Sequence, residues 1–285
     1  MATRDEHQVG LVATVGRYPV KSMRGEACEV VLLTERGVIG DRTWAVLDLA
    51  TGKVASAKRP KLWRGLLACA AQTIADGRGV EVVLPDGSRR CVGDPSLDRT
   101  LSALVGRQIQ LSAIPPDVAE VDRTHPEVLL MAGLDAEVAS DILKLGAAAP
   151  PGTFFDYAPL HLVTTATLDG LSAALSDGPL EPARYRPNIV IRTPDDSKPF
   201  PENDWVGATL RIGDQVMLRV VLQTPRCAIP TLAQGEMPPR PGALVAAVER
   251  NRVDIEGFGN QPCAGVYATI LRGGAVRRGD QAILI

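Results

Sequence analysis

Short β-compatible runs separated by turn signals recur along most of this chain, and that spacing restricts the fold more than any other feature. Val80 to Leu84 and Arg89 to Val92 flank Pro85-Asp86-Gly87-Ser88, a strong hairpin signal. Residues 10–20 and Ala27 to Thr34 read as strands, and Gly40-Asp41 and Thr51-Gly52 read as turns. The 27 glycines and 22 prolines are about 17% of the 285 residues, against a usual share of roughly 12%. Closely spaced strands with this many turns predict a barrel or a sandwich.

A few segments break the β pattern. Ser96 to Val105 reads as a helix capped by Ser96, with Leu97, Leu101 and Leu104 on one face and Gly106 ending it. Helices are also predicted over Thr167 to Leu175 and Ala243 to Arg250, and a short one over Asp135 to Leu145. Pro115-Pro116 closes the first β-rich part, and residues 117–135 carry little periodicity. The expected organisation is mainly β with some α. A barrel-like N-terminal domain spans residues 8–115, a connector 116–139, and a second β-barrel with flanking helices 140–285.

Charge and composition remove several function classes. The net charge of −2 offers no global field for DNA or an acidic membrane surface. Aromatic residues at 4% are too scarce for a base-stacking surface. Five widely spaced cysteines with no CxxC pair argue against a zinc ribbon, a cysteine-ligated cluster or a disulfide framework. The polar start and the lack of any run near ~18 apolar residues predict a reducing, cytoplasmic setting. No dinucleotide fingerprint, P-loop, HExxH or GxSxG occurs. Of the three histidines, His125 reads as a loop residue and His161 as a packed, satisfied one.

The stretch from Arg184 to Cys227 is more informative. Its two β-compatible runs carry guanidinium groups, the amide of Asn188 and the thiol of Cys227. Guanidinium binds phosphate through a bidentate fork, and thiolate binds soft or high-valent transition metals. A ligand with both a phosphate and a metal suits that set. Taken singly, Lys21, Arg42, Arg186 and Arg226 read as surface charges, and Cys227 as a small buried hydrophobe.

Five blocks together resemble the MOSC-domain family. They are Tyr18-Pro19-Val20-Lys21-Ser22-Met23-Arg24-Gly25, Gly40-Asp41-Arg42-Thr43-Trp44-Ala45-Val46, and Phe155-Asp156-Tyr157-Ala158-Pro159-Leu160-His161-Leu162. The fourth is Arg184-Tyr185-Arg186-Pro187-Asn188-Ile189-Val190-Ile191, and Pro225-Arg226-Cys227 is the last. Their order and spacing hold over almost the whole chain. The resemblance extends to the mitochondrial amidoxime-reducing component and its bacterial relatives.

The resemblance implies a molybdenum cofactor held by a pterin dithiolene and one protein cysteine, which by position is Cys227. It implies that Lys21, Ser22, Arg42, Arg186 and Asn188 surround the pterin and its phosphate, with Pro225 and Arg226 flanking the metal ligand. Tyr157 and Ala158 fall where relatives carry hydroxyl side chains that touch the cofactor, and Ala158 retains only backbone for that contact. The implied activity is reduction of N-hydroxylated or N-oxide compounds, with electrons from a separate soluble protein because no ferredoxin module or anchor is present. A cofactor or sulfur carrier using Cys227 is the alternative. Ala228 to Gly235 lacks the acidic residue many relatives carry after the ligand cysteine, which bears on substrate preference.

Overall fold

A computed structural model describes residues 6–74 and 79–285. Seven strands form a closed barrel: β1 (His7–Arg17), β2 (Leu160–Thr164), β3 (Ile189–Arg192), β4 (Thr209–Ile212), β5 (Val216–Pro225), β6 (Gly259–Arg272) and β7 (Gln281–Leu284). Around the barrel the order is β2-β3-β1-β7-β4-β5-β6, and β6 returns to pair with β2. Every pair is antiparallel except β2–β3. Parallel neighbours need a crossover, and the helix Thr165–Ser172 lies in that connection.

Period-two alternation decides which side chains fill the barrel. Leu160 and Leu162 point into its core with Val12, Val15, Ile189, Leu218 and Val266. Val163 and Val190 point outward instead, beneath Leu168 and Leu171 of the crossover helix and Ala243, Ala246 and Ala247 of the helix Gly242–Arg250. β1 therefore shares its core with residues far along the chain. The strand Val30–Thr34 does the same, pairing with Gly274–Arg277 and adding Val31 and Leu33.

A second, smaller core is built on Trp63, Leu66, Val82, Leu97 and Leu101. Around it stand the pair Ala45–Asp48 with Ile109–Ser112, the three-stranded sheet Ala70–Thr73, Val80–Val83 and Arg89–Cys91, and the helix Pro95–Val105. The fold is mainly β with five α-helices among the described residues, as the turn spacing predicted.

Three local expectations are corrected. The predicted helix over Asp135 to Leu145 is instead a strand, Ser140–Lys144, and Glu120–Thr124 in the aperiodic stretch is its antiparallel partner. Val121, fully buried, sits opposite Leu143, so tertiary pairing prevails over local propensity. The same stretch also holds a helix, Pro126–Ala132. Finally, Asp94 rather than Ser96 caps the helix Pro95–Val105, its carboxylate accepting from Ser96 N at 2.8 Å. Pro95 occupies the first helical position, which puts the cap two residues earlier.

Candidate functional site

Where the small unit meets the barrel, one pocket is lined by Lys21, Ser22, Arg42, Ala158, Arg186, Asn188, Pro225, Arg226 and Cys227. These are all but one of the residues singled out in the sequence. The exception is Tyr157, whose ring packs against Phe258 and Tyr267 with centroids 5.9 and 5.6 Å away, outside the pocket lining. Ser56, Lys58, Asp156, His161, Tyr185 and Tyr267 complete the polar part of the wall.

Cys227 lies two residues beyond the end of β5. The backbone of Arg226 donates to Pro262 O at 2.8 Å and so continues the β5–β6 pairing to the cysteine. The thiol is free and buried, packed among Ala57, Leu67, Ile229 and Leu232. Beside it, the Arg226 guanidinium donates to Tyr185 O at 3.1 Å and stacks over the Tyr185 ring at 5.1 Å. Its Nε is buried with no hydrogen-bond partner.

Arg186 and Arg42 share another ring. Their guanidinium carbons lie 4.4 and 4.6 Å from the centroid of Tyr18. Arg42 donates to Asp41 Oδ2 at 2.5 Å and to Asn188 Oδ1 at 3.3 Å. Asn188 Nδ2 donates to Asp41 Oδ2 at 3.0 Å, and Asp41 Oδ1 accepts from Tyr18 N at 2.6 Å. Both ends of the Asn188 amide are thus occupied within the protein, so this residue positions the guanidinium beside it. Arg186 donates to Met23 O at 2.5 Å and has no carboxylate partner among the described residues. Burial and the charge of Arg42 lower its pKa to about 10.

Lysines occupy the far wall. Lys21 is buried and donates to Phe154 O at 2.9 Å and to Asp156 Oδ1 at 2.5 Å. Burial outweighs the attraction of Asp156 and lowers the Lys21 pKa to about 8. Asp156 is itself held well below the usual carboxylate range, because Lys21 and Lys58 more than offset its burial. His161 is neutral. Burial and the neighbouring Arg226 push its pKa down to about 3, and its Nε2 lies 3.2 Å from Ala264 O.

Three of the four non-glycine residues with left-handed backbone among the described residues are Ser22, Arg42 and Arg186, at φ of 65°, 47° and 58°. Each such residue costs about 1–2 kcal/mol. Concentrating that strain at one pocket is typical of a site held in shape for a ligand.

Five cations line the pocket, and among the described residues the only carboxylates within reach of them are Asp156 and Asp41. Burying such a surplus is costly unless an anion joins it. Among the described residues no group of three or more His, Cys, Asp or Glu side chains could hold a metal ion. A metal on Cys227 would therefore take its other ligands from a prosthetic group, and an anionic one fits the charge of this wall.

Comparison with known families agrees with the motif reading. Residues 9–98 match the MOSC N-terminal beta barrel domain and residues 150–282 match the MOSC domain. The chain belongs to the MOSC-domain proteins that carry this N-terminal barrel domain, a family associated with the molybdenum cofactor. Among solved structures, the YuaD protein from Bacillus subtilis is similar over 98% of this chain and 97% of its own, at 9% identity and a TM-score of 0.47. YiiM from Geobacillus stearothermophilus is similar over 60% of this chain and 75% of its own, at 11% identity and a TM-score of 0.31. Neither likeness carries an argument about function. No curated protein matches the sequence. No helix among the described residues is long and apolar enough to cross a membrane.

Proposed function

We propose that the chain is a molybdenum-cofactor oxidoreductase that reduces N-hydroxylated or N-oxide compounds, with electrons from a separate protein. The observation that carries this reading is the convergence of a free, buried cysteine with a set of five cations, only partly balanced by Asp156 and Asp41, on one pocket. When bound, the cofactor supplies two-electron oxygen-atom transfer; the protein binds, orients and tunes it.

Each residue has a part in that reading. Cys227 is the single protein sulfur on the metal, held at the end of a strand rather than on a loose loop. Lys21, Arg42, Arg186 and Arg226 offset the negative charge of the cofactor, and Ser22 and Asn188 hold the backbone and guanidinium positions around it. Pro225 and Arg226 set the approach to Cys227, and Ala158 offers only backbone to the pterin. Tyr157 acts indirectly, by packing on Tyr267, which does line the pocket. Reduction of a hydroxylamine-type nitrogen consumes two electrons and two protons and releases water.

Metal and pterin analysis of protein from a cofactor-competent host tests the reading, followed by amidoxime reduction with an artificial electron donor. Molybdenum near one per chain and turnover are the expected results. Protein with intact Cys227 but neither molybdenum nor pterin sinks it. A persulfide on Cys227 without molybdenum would replace it with the carrier function.

A further inference from the structure

A second cleft, of about 390 Å³, has no part in the reading above. It is framed by β1, by the segment Arg24 to Ala27, and by the loops at 182–187 and 234–237. Most of its wall is apolar, with Val15, Pro182, Pro187 and Met237 prominent. Tyr18 and Arg186 also line it, and Arg186 alone is shared with the pocket of Cys227. A cleft of this size, mostly apolar with a few fixed polar groups, has the form of a small-molecule site.

Arg24 gives the cleft its chemistry. Its backbone is fixed on both sides, N donating to Cys69 O at 3.0 Å and O accepting from Ala71 N at 2.9 Å. Its guanidinium donates to Ala68 O at 3.3 Å, has no carboxylate partner among the described residues, and keeps a buried Nε with no acceptor. The group lies flush on the turn at 234–237, where a Cβ on Gly235 would overlap Arg24 Cζ, Nε and Nη1. The carboxylate in the wall, Glu26, is already held, its Oε1 accepting from Arg17 Nε at 2.8 Å and from Thr73 N at 2.9 Å. Arg24 and Arg186 therefore leave the cleft with a positive surplus beside hydrocarbon. A single carboxylate matches a guanidinium fork, and an apolar body matches the rest of the wall.

We propose that this cleft is a second ligand site, taking an amphiphilic monocarboxylate. The carboxylate sits on Arg24, and the hydrocarbon body lies along Val15, Pro182, Pro187 and Met237. The site needs no metal, so it stands or falls apart from the redox function.

The test is calorimetric titration of octanoate into the full chain, free of metal, at neutral pH. Saturable binding at one site is expected, with octanamide at least ten-fold weaker. Arg24→Gln weakens octanoate binding at least five-fold. Ala183→Glu, which adds a like charge at an exposed position of the rim, weakens it as much and decides the matter if Arg24→Gln does not fold. Lys58→Gln, which removes a cation from the pocket of Cys227, leaves octanoate binding unchanged. No saturable binding, equal affinity for octanamide, full affinity in Ala183→Glu or in folded Arg24→Gln, or loss of binding in Lys58→Gln overturns the proposal.

Discussion

Asn188 and Asp41, 147 positions apart in sequence, meet through one buried hydrogen bond of 3.0 Å from Asn188 Nδ2 to Asp41 Oδ2. That bond ties the strand-end loop bearing Arg42 to the barrel strand that begins at Ile189. The two arginines over Tyr18 owe their common position to it.

Asp41→Asn should therefore cost about 3 kcal/mol of stability, because a new amide donor would face the donors of Asn188 or Arg42 in a buried site. Denaturant unfolding of the metal-free protein measures this. A loss under about 1 kcal/mol, no more than an ordinary hydrogen bond, would show that the pair does not organise the wall.

Cys227→Ala should separate chemistry from folding. The thiol packs against Ala57, Leu67, Ile229 and Leu232, and losing one buried heavy atom costs about 1 kcal/mol. Thermal unfolding should change little while molybdenum content and amidoxime turnover fall to background. Turnover that survives in this variant would take Cys227 out of the mechanism.

Gly265, on β6 at a left-handed φ of 81°, lies directly behind the pocket. A Cβ there would fall 2.3 Å from Leu162 O and 2.6 Å from His161 Nε2. Gly265→Ala should destabilise the barrel by about 3 kcal/mol, through backbone strain and a clash with rigid main chain. A variant that unfolds like wild type would mean that β2 and β6 have room to separate.

Acid should weaken the fold through His161. Its pKa falls from 6.5 to about 3 on folding, so its contribution is intact above pH 6.5. Below that the unfolded chain takes up a proton the folded one refuses, and stability drops by up to about 1.4 kcal/mol per pH unit. His161→Gln abolishes this dependence. Comparing unfolding free energies of the two proteins at pH 7, 6 and 5 should show the gap between them narrowing or reversing. Parallel pH profiles would contradict a buried neutral histidine.

The β character and most helices are legible in the sequence because turn residues and period-two alternation are local signals. The pocket was legible only as five separate blocks. Nothing local reveals that Arg42 and Arg186 share the ring of Tyr18, or that non-glycine Ser22, Arg42 and Arg186 adopt left-handed backbone. Asp41 and Asp156 lay inside the quoted motifs without a role, since their partners are set by tertiary structure. The strand Glu120–Thr124 is not legible in the sequence because its polar residues hide the alternation around Val121.

The place of β1 between β3 and β7 bears on how the protein is made. A ribosome emits His7–Arg17 long before Gln281–Leu284. β1 therefore waits, its apolar side exposed, until β7 has been made. Ring closure should be the late, slow event of maturation. Nascent chains halted before β7 should be far more open to proteases than the finished molecule.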